Sequence, residues 1–191
     1  MQQRKSCDAF ELLRLNGDGR SCAHAENRVE SQARIRFAVA KALTQGRIGF
    51  HYQPVVRADN PKFPAFHEML ARMYSPDGNT LPAGAFLPLV EDGPLGRIID
   101  RLALSQALKA LAENPRLRLS INVSPNSMGD EEWLNILAAA SRGSNVCGRL
   151  ILEITENAAA QNADQMIDFM GYVRQSGCAF ALDDFGAGVT G

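Results

Sequence analysis

Two late apolar runs constrain the fold of this chain more than anything else in it: Arg149-Leu-Ile-Leu-Glu-Ile-Thr-Glu156 and Ala179-Phe-Ala-Leu-Asp-Asp-Phe-Gly186. Both are short and almost continuously apolar, and each ends in two carboxylates, Glu153 with Glu156 and Asp183 with Asp184. Runs of this kind read as strands covered on both faces. A charge at the end of such a strand is costly to bury alone, so it must be paired, hydrogen-bonded or bound to a cation. Two earlier runs follow the same plan. Phe63-Pro-Ala-Phe-His-Glu-Met-Leu70 carries Glu68, and Leu117-Arg-Leu-Ser-Ile-Asn-Val-Ser124 carries Asn122. Four strands therefore deliver oxygen donors in succession.

The segments around these strands complete an alternating pattern. A helix is expected over 26–44, ended by Gln45-Gly46, then a strand from Ile48 to Val56. Asp59-Asn-Pro61 turns the chain into the strand over 63–72, and so short a connection implies an antiparallel pair. Ser75-Pro-Asp-Gly-Asn79 is a turn; helices are expected over 83–91 and 95–113, the second ended by Asn114-Pro115. Strands over 117–123, 150–155 and 179–183 then alternate with helices over 130–140 and 163–175. That order signals a parallel α/β sheet with right-handed crossovers, whose functional residues gather at the carboxyl ends of the strands.

Bulk properties narrow the function. The 191 residues suit one domain, with residues 1–25 as a leader or linker. A formal net charge of −1 gives no general attraction to a nucleic-acid polymer or an anionic membrane, so a phosphate ligand needs local charges or a metal. No apolar stretch reaches the roughly 18 residues of a membrane span. Cys7, Cys22, Cys147 and Cys178 are too scattered for a zinc site and too few for a disulfide scaffold, which points to reduced thiols and a cytoplasmic location.

Glu, Asn, Glu and Asp-Asp form a hard-oxygen set without His or Cys, which selects Mg²⁺, Mn²⁺ or Ca²⁺ over zinc or copper. Two such ions about 3.5–4 Å apart are the usual arrangement for phosphodiester cleavage. Glu153 and Glu156 are three apart and face opposite ways on a regular strand, so one can bind metal while the other ties down a loop. Simpler readings stand beside these. Asp183-Asp184 also suits a helix cap, Asn122 with Ser124-Pro125 also suits a turn, and Arg72, four after Glu68, also suits a surface ion pair.

Six segments, in order and spacing, resemble the EAL-domain cyclic di-GMP phosphodiesterases: Tyr52-Gln-Pro54, Glu68-Met-Leu70 with Arg72, Phe86-Leu-Pro-Leu-Val-Glu91, Ile121-Asn-Val-Ser124, Leu152-Glu-Ile-Thr-Glu156 and Leu182-Asp-Asp-Phe-Gly186. The match runs from about Ile48 to Gly191, so residues 26–191 are expected to be the N-terminal portion of such a domain. The resemblance implies a TIM-like (β/α) barrel with an antiparallel first strand, incomplete in this chain. It implies Mg²⁺- or Mn²⁺-dependent hydrolysis of cyclic di-GMP to linear pGpG at a two-metal site. It implies Glu68, Asn122, Glu153, Asp183 and Asp184 as metal ligands, with Glu68 and Asp184 catalytic. It further implies Gln53, Leu70 and Arg72 as substrate contacts, Glu156 as a loop anchor, and homodimer formation as a family habit.

Two departures set further expectations. Met69 stands where the family signature has Ala; a larger side chain beside Glu68 could crowd the pocket, although neighbours on a strand face opposite ways and Met is adaptable. The chain also ends after Gly186-Ala-Gly-Val-Thr-Gly191, before the family's later motifs, so as written it is expected to be inactive. The alternative functions are a degenerate receptor that binds cyclic di-GMP without cleaving it, and a dimerisation module.

Overall fold

The computed structural model describes residues 25–142, 145–156 and 163–183. Its elements are helix α1 (Ala25–Thr44), strands β1 (Ile48–Arg57), β2 (Asn60–Tyr74) and β3 (Thr80–Pro82), helix α2 (Pro94–Glu113), strand β4 (Leu119–Asn122), helix α3 (Glu131–Ser141), strand β5 (Leu150–Thr155), helix α4 (Ala163–Gln175) and strand β6 (Ala179–Asp183). The chain divides into two compact units, one of residues up to Gly49 with Ala71–Leu95, the other of Phe50–Leu70 with residues from Gly96 onward.

In the first unit α1 buries Ile35, Val39 and Ala42, one helical face at spacings of four and three. The helix stops where expected. Gly46 takes φ 63°, and the amide of Arg47 returns to the carbonyl of Ala42 at 2.8 Å, closing the last turn. β3 pairs antiparallel with the end of β2, Met73 opposite Leu81, after a turn in which the Asn79 amide donates to the Ser75 hydroxyl. Gly49 is required by a close approach: a Cβ there would lie 2.9 Å from Cε2 of Tyr74.

The helix expected over 83–91 does not form. Two 3₁₀ turns, Ala83–Ala85 and Leu87–Leu89, take its place. Pro88 lies inside the second and has no amide to donate, so the two turns do not merge into a continuous α-helix. The strand at 80–82 was not foreseen either, because three residues are too few to show alternation.

The second unit carries the sheet, with neighbours in the order β1-β2-β4-β5-β6. β1 and β2 are joined by two residues, which permits only an antiparallel pair. β2–β4, β4–β5 and β5–β6 are parallel. Alternate strand residues Met69, Leu119, Ile121, Val123, Leu150, Leu152 and Ile154 belong to one buried cluster with residues of α2, α3 and α4, among them Leu104, Leu111, Trp133, Leu137, Phe169 and Val173. Met69 is therefore packed in the core, 3% exposed, and does not crowd the neighbours of Glu68. Strand alternation sends consecutive residues to opposite faces. None of the helices among the described residues is long and apolar enough to cross a membrane.

Two charged devices close the helix ends of this unit. Arg149, just before β5, donates to the carbonyls of Leu111, Asn114 and Leu117, tying the last turn of α2 and the turn that follows it to the start of β5. Asp130 caps α3 by accepting from the amides of Glu132 and Trp133, both at 3.0 Å, and also accepts from Arg101 at 2.7 Å. Burial alone would raise the Asp130 carboxyl, but the Arg101 guanidinium and the two amides outweigh it and hold its pKa below the ordinary value. Its contribution is then present above the unfolded carboxylate range and lost as pH falls through the depressed folded value. Asp130→Ala should cost more than the roughly 1 kcal/mol of a lost cap, and less than the about 3–5 kcal/mol of a broken buried pair, since Arg101 keeps contact with water. Urea unfolding at pH 7 measures it, and the difference from the parent should shrink toward pH 3.

Candidate functional site

The face of the sheet opposite the helices carries the polar residues. Register places Glu68 of β2 opposite Ser120 of β4, and Ser120 opposite Ile151 of β5. One step further along, Asn122 stands opposite Glu153, and Glu153 opposite Ala181 of β6. Asp183, two residues on, stands opposite Thr155. Residues opposed in register share a face, and so do residues two apart. Glu68, Ser120, Asn122, Glu153 and Asp183 therefore line one face at the carboxyl ends of adjacent strands.

Side chains bear this out. The Asn122 amide donates to Oε1 of Glu68 at 3.0 Å. Glu153 is only 8% exposed, whereas Asn122 and Asp183 are open to solvent. Burial raises the Glu153 carboxyl above its ordinary value; the Ser120 hydroxyl works against that, and the charges of Glu68 and Asp183 add to it. Glu68 and Asp183 thus act on Glu153 through space, and Glu153 is the deepest of the three. Ser120 is fully buried, and although it lies near enough to favour the charged form of Glu153, its hydroxyl makes no hydrogen bond of good geometry.

The donor set suits a hard divalent cation: carboxylates and an amide, all oxygen-bearing, with an excess of negative charge at a buried glutamate. Among the described residues, no group of three or more His, Cys, Asp or Glu side chains is drawn close enough to hold an ion.

The remaining sequence candidates are distributed differently. Asp184 lies outside the described residues, as does the loop that Glu156 was expected to anchor. Glu156 follows the last residue of β5 and is half-buried, so the period-two argument that opposed it to Glu153 does not apply to it. Gln53 is exposed on β1 and Leu70 half-buried on β2. Arg72 falls in the other unit; its guanidinium donates to the carbonyl of Ala71 at 2.9 Å and makes no ion pair among the described residues. The sequence reading passed over Ser120. Its signal was available: a polar residue within an apolar run, two before Asn122 and hence on the same side of the strand.

Away from this face, Asp100 of α2 is also pushed up by burial, while Ser127 and Ser124 hold it with a hydroxyl at 2.6 Å and an amide at 3.2 Å. It ties the loop after β4 to α2 and is structural.

Comparison with known proteins adds a family. Residues 36–191 match the model of the EAL domain. The chain is 30% identical over 155 residues to the cyclic di-GMP phosphodiesterase PdeB of Shewanella oneidensis, covering 78% of this chain and 18% of that protein. It is 31% identical over 147 residues to the cyclic di-GMP phosphodiesterase PA2567 of Pseudomonas aeruginosa, covering 73% and 25%. Among solved structures, the FimX EAL domain of Xanthomonas citri in complex with c-diGMP is similar with a TM-score of 0.73 at 24% identity, over 86% of this chain and 65% of that one. The chain thus spans a quarter or less of the length of these two relatives.

Proposed function

The chain belongs to the EAL domain family, and on that premise we propose that it contributes to a site that binds cyclic di-GMP and hydrolyses it to linear pGpG with Mg²⁺ or Mn²⁺. The observation that carries the proposal is the shared face of Glu68, Asn122, Glu153 and Asp183, with Asn122 bonded to Glu68 and Glu153 buried beside them. These four residues would hold the cation, and Asp184, next along the chain from Asp183, would complete the set. When bound, a divalent cation supplies a Lewis acid for the phosphoryl oxygen and lowers the pKa of water.

The protein's own part is to gather negative charge where a hydrated cation can enter. Asn122 orients Glu68 by holding one of its oxygens. Glu153 is buried on the inner strand β5, while the exposed Asn122 and Asp183 leave the rim open to a ligand. Gln53, Leu70 and Arg72 are proposed as contacts to the dinucleotide on the resemblance alone.

The core position of Met69 removes one argument for a degenerate receptor, since the departure from the family signature points away from the acidic face. Incubating the full-length protein that carries these residues with cyclic di-GMP and Mn²⁺ should yield linear pGpG, and EDTA should stop it. Binding by calorimetry without any product would instead establish the receptor reading, and neither binding nor product would remove both.

A further inference from the structure

Among the described residues of the acidic face, Ser120 has a buried hydroxyl that makes no hydrogen bond of good geometry. It is 0% exposed, on the central strand β4, and its hydroxyl has no hydrogen-bond partner. A buried hydroxyl left unpaired is a cost that an alanine of nearly the same shape would avoid. Its surroundings narrow what it can serve. Directly opposite it stand Glu68 on β2 and Ile151 on β5, and the next residue along β5 on its own face is Glu153. Ile151 offers no polar side-chain atom. Glu68 has one carboxylate oxygen engaged by Asn122, whereas among the described residues no side-chain donor other than Ser120 is seen to act on Glu153. Glu153 is therefore the favoured acceptor, and it is buried on the same side.

We infer that Ser120 is a positioning residue, whose hydroxyl donates to the Glu153 carboxylate when the acidic face holds a divalent cation and thereby fixes that carboxylate in one orientation. The inference rests on the metal-binding reading above. Carboxylates that ligate metals are themselves commonly held by an outer donor, and losing that donor typically weakens the metal by about 10–100-fold. A neutral hydroxyl belongs at the lower end of that range. The role also accounts for a polar side chain at a depth where the flanking residues Leu119 and Ile121 are fully apolar.

The test is Mn²⁺ titration by calorimetry on the parent protein, Ser120→Ala and Ser120→Thr, with thermal unfolding of each in EDTA. Ser120→Ala should weaken Mn²⁺ about tenfold, while its unfolding temperature without metal stays level or rises, because an unpaired hydroxyl has been removed. Ser120→Thr, which keeps the hydroxyl, should restore most of the affinity. Parent-like Mn²⁺ affinity in Ser120→Ala overturns the inference and leaves the metal site standing. Equal loss of affinity in both variants, accompanied by a lower unfolding temperature in EDTA, also overturns it, since packing alone would then explain the serine. If the parent takes up no Mn²⁺ at all, the underlying metal reading falls, and this inference with it.

Discussion

In the full-length protein, Glu153→Gln should abolish the proposed Mn²⁺ binding and cyclic di-GMP hydrolysis, and at the same time should make the metal-free protein more resistant to heat at neutral pH. The two effects have one cause. Glu153 is a carboxylate at 8% exposure whose pKa is raised chiefly by burial; the Ser120 hydroxyl opposes this, and the charges of Glu68 and Asp183 add to it. The folded protein therefore holds the Glu153 proton more tightly than the unfolded chain does. That contribution to stability is fully present below the ordinary glutamate value of 4.5, and is lost as pH rises through the raised folded value. Above that raised value the fold carries a buried charge that a bound cation would neutralise.

Glutamine keeps the shape and removes the charge. In EDTA its unfolding temperature should exceed the parent's at pH 7, and the gap should close toward pH 4. With Mn²⁺ the order should reverse, because only the parent gains from the ion. Loss of hydrolysis should exceed the roughly 10–100-fold expected for an outer partner, since a proposed ligand itself is removed. Glu68→Ala should lose turnover to the same extent while part of the dinucleotide binding survives. Parent-like Mn²⁺ uptake by Glu153→Gln would take Glu153 out of the cation site.

Trp133→Ala should be the most damaging substitution in the core, costing about 3–5 kcal/mol. Trp133 lies in the first turn of α3, 0% exposed, with its ring 5.5 Å from that of Phe169, which in turn lies 6.0 Å from Phe180 of β6. Alanine leaves a cavity where α3, α4 and the sheet meet. Trp133→Phe should cost much less than its lost volume suggests. The indole N–H has no partner, so the phenyl ring removes an unpaired buried donor along with the missing atoms. Urea unfolding with an unchanged denaturant slope would measure both. A cost for Trp133→Phe equal to that for Trp133→Ala would show that the indole nitrogen is satisfied in solution.

Much of the architecture was legible because it follows from local patterns. The expected span of α4 over 163–175, of β5 over 150–155 and of β6 over 179–183 coincide with those observed, since long periodic or continuously apolar segments carry their own signal. The 3₁₀ turns at 83–89 were misread as one helix, because apolar spacing outweighed Pro88 in the reading but not in the fold. β3 exists only through its pairing with β2 and has no signature of its own. The place of Ser120 two residues before Asn122 puts it on the acidic side of its strand, but which carboxylates it meets across the ladders follows only from register.

From the sequence alone came the alternation of strands and helices, the oxygen donors at strand ends, and the rule that Met69 and Glu68 face opposite ways. What the tertiary structure decided was register. That Glu68 meets Asn122, that Asn122 stands opposite Glu153, and that Asp183 lies one step beyond are facts about hydrogen-bonded ladders between segments up to 54 residues apart. A slip of one residue in any ladder would have sent a donor to the helix side. Only the packing of β4 and β5 against the helices, through Leu119, Ile121, Leu150 and Leu152, forbids that slip.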